Sequence, residues 1–430
     1  LILKRLIAFP ESRRILTIHL LATPFLATQW SITAMVPVLL RDYFRASEWQ
    51  TTISTSAIPV MSLLSIFWNE LYRRMQPHRY LLMLWVVAIA PLAGVARCHH
   101  PETVLIFVVI SAVGFGAMTP LTADILRNCY PPAARGKIFS VLQVLAQSTV
   151  MVGTYCIGLW LNIDHEAFRL YLPAGVVIIG IGMSLLSRIT HQQLFRERHK
   201  FHPTEPLRAS LGKAWHNMAA VLARDRSFRR YEIGFFTYGL GWMICAALLP
   251  FLVVDHLRLD YEQVARSTQT ALQLTLLLMM MPTGYLMDRL GPIRTSCWAF
   301  SVLIFYPIGL MAAGDVHSLT GATVCFGIGM SGEHLTWTIG PVTLARDSSQ
   351  APHYLAIHAT LVGVRAILGQ FPAVALYRLT GEIRLPLVLA AFLFATGALL
   401  MRRLEHDRRA SEKPAASAIP IPPAHNTGGP

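Results

Sequence analysis

Of the 23 acidic residues in this chain, one, Glu333, falls in the middle of a long apolar run. Of the 37 Lys and Arg, one, Arg365, does the same. A charge at the centre of a membrane helix costs about 2.5–3.5 kcal/mol even on the mildest insertion scale, so each is retained for a reason. An acid can take up and release a proton, and a guanidinium can hold an anionic group. His334 follows Glu333 directly, and His358 precedes Arg365 by seven residues, two helical turns that put both on one face. A histidine is the side chain whose charge changes most readily near neutral pH. The two runs are centred near residues 332 and 365. At about 1.5 Å per residue, Glu333 and Arg365 reach nearly the same depth, with His358 roughly 10 Å nearer the end that carries the termini. Two readings follow. Glu333, Arg365, His334 and His358 form a substrate- or proton-coupling cluster, or Glu333 and Arg365 are an ion pair that fixes two helices.

Other polar residues within apolar runs are Gln29, Trp30, Thr33, Gln143, Gln147, Trp242, Gln269 and Gln273. They are candidate cavity liners; the alternative for each is a hydrogen bond between helices. The six cysteines are scattered without a C-x-x-C and there is no His cluster at zinc spacing, so no metal site or cofactor is expected.

These residues must be positioned by membrane helices. Hydrophobic residues make up 54% of the 430 and charged ones only 14%, against roughly 25% in soluble chains. That balance excludes a disordered protein and argues against a soluble enzyme. Twelve apolar runs are present, at 15–40, 50–68, 80–98, 103–126, 138–162, 169–187, 231–254, 264–286, 293–314, 318–344, 353–377 and 383–401. Each has about the length that crosses a bilayer, and alternation at period 2 is absent, so a β-barrel is not supported. No cleavable signal peptide is read, because the first strong run follows Arg13 and Arg14 and is too long for one. The expected fold is an all-α membrane protein of twelve transmembrane helices in two pseudo-symmetric six-helix bundles. The expected boundaries are 1–187 for the first bundle, 188–230 for a polar central loop, 231–403 for the second bundle and 404–430 for a disordered tail. Within the loop, 213–224 reads as an amphipathic helix on the membrane surface. With twelve spans, 28 of the 37 Lys and Arg lie on the side of the termini and eight on the other. The positive-inside rule then places both termini and the central loop in the cytoplasm, in a plasma (inner) membrane. Topology thus accounts for the net charge of +14, and no nucleic acid partner is expected.

The eighth run ends in GYLMDRLGPIR, Gly284 to Arg294. Gly284 would let two helices approach closely, Asp288 sits beside Arg289 at the membrane surface, Gly291 permits a tight turn, and Arg294 begins the next helix. Between the second and third runs, NELYRRMQPHR repeats part of the pattern, with Arg74 in the place of Arg289 but Asn69, Arg73 and Gln76 in the places of Gly284, Asp288 and Gly291. NCYPPAARGK, Asn128 to Lys137, joins runs four and five. The 284–294 stretch closely resembles the G-x-x-x-D-R-x-G-x-x-R loop signature of the major facilitator superfamily of transporters, and the 128–137 loop is similar to the one that often joins the fourth and fifth spans there. The resemblance covers all twelve runs. It implies a gating role for Gly284, Asp288, Arg289, Gly291 and Arg294, with Arg73 and Arg74 in the degraded first copy, and a charge latch in which Asp124 pairs with Arg73 or Arg74. The G-x-x-x-G-P pattern typical of many drug–proton antiporters is missing from run five, which has only Gly153 and Gly158.

The function read from the sequence is therefore a secondary transporter that moves a small solute by alternating access, with protons as a candidate co-substrate and the lipid bilayer as its surroundings. It is expected to act as a monomer and not as an enzyme; no Walker stretch is present for ATP hydrolysis. The alternatives are a membrane-embedded enzyme acting on lipid and a solute sensor with a transporter fold. The topology is directly testable. A cysteine placed at position 210, in Ser210→Cys, should resist an impermeant thiol reagent in intact cells and react once the membrane is opened. Labelling in intact cells would refute the assignment.

Overall fold

The computed structural model describes residues 10–114, 116–192, 195, 206–345 and 351–416, and these contain helices and no strand. Eleven helical segments are long and apolar enough to cross a membrane. The first six are Glu11–Asp42, Glu48–Arg74, Pro77–Arg97, Pro101–Cys129, Ala134–Ile163 and Phe168–Thr190. The seventh to ninth are Arg226–His256, Tyr261–Leu290 and Pro292–Ala312, and the eleventh and twelfth are Tyr354–Thr380 and Arg384–Ala410. Val316–Leu344 is the tenth span of the fold: it has the length, at 29 residues, but its many Gly, Ser and Thr with Glu333 and His334 make it less apolar than the others.

The helix starts follow local chemistry. Pro77, Pro101, Pro132 and Pro292 open helices at the first position, where the missing N–H costs nothing. Ser47, Asp260 and Asp315 close capping boxes with Gln50, Gln263 and Ser318. The Ser318 hydroxyl and amide hold the Asp315 carboxyl below the usual carboxylate range. Gly291, at φ 76°, makes the sharp turn between the eighth and ninth spans that its motif predicts.

The two halves pack alike. The first span lies against the fifth and sixth as the seventh lies against the eleventh and twelfth. The second meets the fourth as the eighth meets the tenth, and the third meets the sixth as the ninth meets the twelfth. Large apolar side chains such as Leu82, Ile106, Val177 and Phe392 are left exposed on the outside, where lipid would cover them.

Two expectations change at the edges. The twelfth helix continues to Ala416, so residues 404–416 are helical instead of disordered; Glu405 pairs with Arg409 one turn on and with Arg294 at 2.8 Å. Residues 417–430 lie outside the described part. In the central segment the helix runs over Leu207–Arg224, six residues longer at its start than the expected 213–224.

The polar bonds between the halves gather at one end. Between described residues, the hydrogen bonds and ion pairs that cross from half to half all lie toward the end opposite the termini. Arg41 binds Asp255 at 2.7 Å, Tyr261 donates to Asp42 at 2.6 Å, and Asn162 donates to Asp260 at 3.0 Å. Thr55 donates to Gln370 at 2.7 Å, Trp49 stacks on Phe371, and Arg378 reaches Glu48 at 3.8 Å. Beside them the Glu166 carboxyl is held below the usual range by the Tyr43 hydroxyl and the Arg169 guanidinium. Gly158 permits a close approach of the halves, since a Cβ there would come within 2.8 Å of Ala265 and of the Tyr261 carbonyl. Gly158→Val should therefore force this end apart. Spin labels at positions 100 and 382, on loops of the two halves at that end, should report a longer distance than in the parent. An unchanged distance would show that the contact does not hold the halves together there.

Candidate functional site

The seventh span carries one face of polar and aromatic residues into the second half. Glu232 is only 3% exposed and lies 2.9 Å, through both carboxylate oxygens, from Nδ1 of His358, itself 2% exposed. Phe235, one turn on, meets the His358 ring edge to face at 4.8 Å, and Trp337 of the tenth span does so at 5.2 Å. The backbone carbonyl of Phe235 accepts a hydrogen bond from Nη1 of Arg365 at 3.1 Å. The guanidinium lies flat against Gly239, where a Cβ would stand 2.3 Å from Nη1. Its centre is 5.4 Å from the Tyr238 ring and 5.7 Å from the Trp242 ring. The Tyr238 hydroxyl donates to Oε1 of Glu333, and Oε2 of Glu333 lies 3.3 Å from Nδ1 of His334, which also contacts the Met330 carbonyl at 2.9 Å.

The structure thus brings Glu333, His334, His358 and Arg365 into one continuous column, with a change in the wiring. Glu333 and Arg365 make no direct ion pair. Tyr238 stands between them, hydrogen-bonded to the acid and stacked under the cation. Its ring is held against Phe300 at 4.1 Å, which leaves the hydroxyl aimed at Glu333. The acid that sequence reasoning passed over is Glu232. The apolar run begins at 231, which places Glu232 at a water-facing helix end. The helix in fact starts at Arg226, with Asp225 as its cap, and Glu232 is well inside. The usable signal was His358, a basic partner on the eleventh span that had no acid assigned to it.

Of the candidate liners, Trp242 joins the column. The Thr33 hydroxyl donates to the Gln29 carbonyl of its own helix. Trp30 is 48% exposed, and Gln29, Gln147, Gln269 and Gln273 are half-buried, with Gln143 exposed. None of these five glutamines makes a side-chain hydrogen bond to a described residue, so the alternative of a helix–helix bond is not realised for them.

The loop motifs divide. Arg73 and Arg74 both pair with Glu70, at 3.1 and 3.8 Å, an acid three positions before the place that Asp288 holds in the second copy. Asp124 accepts hydrogen bonds from Tyr72 at 2.8 Å and Asn128 at 2.6 Å, so a tyrosine links the second and fourth spans. Asp288 is exposed and has no partner among the described residues. Arg289 lies over its own helix at Tyr285, 4.2 Å away, and Arg294 binds Glu405 on the twelfth span. Gly284 has nothing within 4 Å of where a Cβ would be, so the close helix approach expected of it is not made in this conformation.

The Glu232–His358 pair is sealed from water, and removing one member leaves the other without its partner. Glu232→Gln and His358→Gln should each destabilise the protein by about 3 kcal/mol or more, read as the denaturation midpoint in mixed micelles. The double substitution should recover most of that loss. Two single variants as stable as the parent would show that the pair carries no such interaction.

The family model described as Major Facilitator Superfamily matches residues 18–370. No curated protein matches the sequence. In fold, the chain is similar to a mutant of the nucleoside transporter NupG, with a TM-score of 0.73 at 10% identity, covering 90% of this chain and 98% of that one. It is also similar to a bacterial homologue of the human lysosomal transporter Spinster, with a TM-score of 0.65 at 11% identity over 93% and 98% of the two chains. The human organic anion transporter MFSD10 gives 0.61 at 16% identity over 91% and 100%. With twelve helices in two matching bundles and a family match over most of its length, the chain belongs to the major facilitator superfamily of membrane transporters.

Proposed function

We propose that the chain is a secondary active transporter that carries a small solute by alternating access, with protons as the coupling ion. The observation that supports this most directly is the setting of Glu333. It is a buried carboxyl in mid-helix whose two side-chain partners are a hydroxyl and an imidazole. A hydroxyl donates to a carboxylate and accepts from a carboxylic acid, so Tyr238 stays in place in either protonation state. A direct arginine pair would instead have locked the acid in its charged form.

Alternating access is supported by the gathering of polar bonds between the halves at one end. The bonds between the halves are clustered away from the termini, and breaking them while closing the termini end would expose the column to the other side. Asp288 suits a gate that is disengaged in this state and engaged in the other. The distribution of Lys and Arg favours a cytoplasmic location for both termini and the central segment, with the polar bonds between the halves on the outer side of a plasma membrane. The domain reading of 1–187, 188–230 and 231–403 fits the same two-body motion.

Proteoliposomes loaded with a pH-sensitive dye test the reading with a panel of amino acids, nucleosides, sugars and carboxylates. At least one solute should drive proton movement in the parent protein, and Glu333→Gln should abolish that movement while leaving exchange of the same solute. Solute flux that moves no protons, with Glu333→Gln as fast as the parent, would overturn the coupling. Absence of flux for every solute would count against transport itself.

A further inference from the structure

The guanidinium of Arg365 is held in place, but most of its hydrogen-bonding capacity is unused. An arginine has five N–H donors. One, on Nη1, goes to the Phe235 carbonyl. Nη2 makes no hydrogen bond to a described residue, and Nε is sealed from solvent with no partner. The residue is 2% exposed, which puts these donors inside the protein. Nε and Nη2 lie along one edge of the planar group, and that edge is the one whose two parallel N–H bonds fit the two oxygens of a carboxylate.

The neighbouring charges are already matched. Glu232 is engaged through both oxygens by His358, and Glu333 takes the Tyr238 hydroxyl and the His334 ring. Glu333 makes no bond to Arg365, and Tyr238 stands between them. Arg365 is thus the one charged group of the column that lacks a carboxylate in contact. The surrounding wall is aromatic: Tyr238 and Trp242 flank the guanidinium, and Trp242 is only half-buried. Rings in these positions steady the cation by their π-faces and supply no anion.

We infer that Arg365 is the anchor of a binding subsite for a small organic carboxylate, which accepts two hydrogen bonds from the Nε–Nη2 edge while its apolar part lies against Trp242. This inference rests on the transporter reading and narrows its substrate to organic anions. Charge balance adds a consequence. A carboxylate on Arg365 adds a negative charge beside the column, and a proton taken up with the solute restores the balance.

The test is equilibrium binding to the purified full-length protein in detergent, read as a thermal shift. The probes are benzoate and lactate, each compared with its neutral amide, benzamide and lactamide. At least one carboxylate should raise the midpoint in a saturable way, and its amide should not. Arg365→Gln should abolish the shift. Arg365→Lys keeps the charge without the fork and should weaken binding roughly tenfold, the loss of one hydrogen bond to a charged group. Gly239→Ala keeps Arg365 but displaces its guanidinium, and should weaken binding as well. If Arg365→Gln does not fold, the Lys and Gly239 variants decide. Benzamide or lactamide as effective as its acid, no shift with either acid, or parent-like binding in Arg365→Lys would each overturn the inference. Binding is measured without flux, so the two readings fail separately. Carboxylate binding without transport in proteoliposomes leaves the subsite standing, and transport of another solute without carboxylate binding leaves the transporter standing.

Discussion

The hydrocarbon core of a bilayer offers no water, so each polar atom placed there must find its partner within the protein. Nearly every feature of the second half follows from that constraint. Glu232 meets it with His358, in contact through both carboxylate oxygens. Glu333 meets it with a tyrosine and a histidine. Arg365 meets it in part, with a backbone carbonyl and two aromatic faces. The difference between the three is chemical. The first is a carboxylate–imidazole pair whose Nε2 stays without a partner, the second is a carboxyl between a hydroxyl and an imidazole, and the third keeps unused donors.

Small residues make this column possible. Gly239 lets a guanidinium lie on the seventh span, and Gly340 accommodates the Tyr231 ring, whose hydroxyl would stand 1.9 Å from an added Cβ. Tyr231 donates to the Thr336 carbonyl, which ties the seventh span to the tenth next to Glu333. The tenth helix is consequently the least apolar of the twelve: its Gly, Ser and Thr are the surfaces on which its neighbours pack. Thr283 and Ser331 share a hydrogen bond across the eighth and tenth spans at 2.8 Å, and Gly327 fits against Thr275. The same residues that lower its hydropathy let the charged group be enclosed.

The end where the halves bond is built from a different chemistry. Its charges, Arg41, Asp255, Glu48 and Arg378, are 18–47% exposed, so each bond there is worth little alone. Many weak bonds between two rigid bundles suit a contact that can be released as a unit. The column, by contrast, is buried within one bundle, where its pairs persist whatever the halves do relative to each other. The column and the bonds between the halves are therefore separated in space.

The sequence alone determined the parts that follow from the bilayer. Twelve apolar runs, the charge split between the two sides and the glycine at 291 yield the helices, the two-bundle fold and the sharp turn. The rarity of charge in mid-span was enough to single out Glu333 and Arg365. Tertiary structure decided how those residues are wired. Tyr238 carries no mark in the sequence that sets it apart from twelve other tyrosines; only the packing of its ring on Phe300 aims the hydroxyl at Glu333. Glu232 was hidden by a helix start that lies inside a polar stretch, because Asp225 and the arginines after it look like surface loop until the cap is seen. The open space at Gly284 depends on how the eighth span packs against its neighbours. Hydrophobic pattern specifies which segments are buried and how long they are; the partner each buried polar atom finds is fixed only when the helices pack.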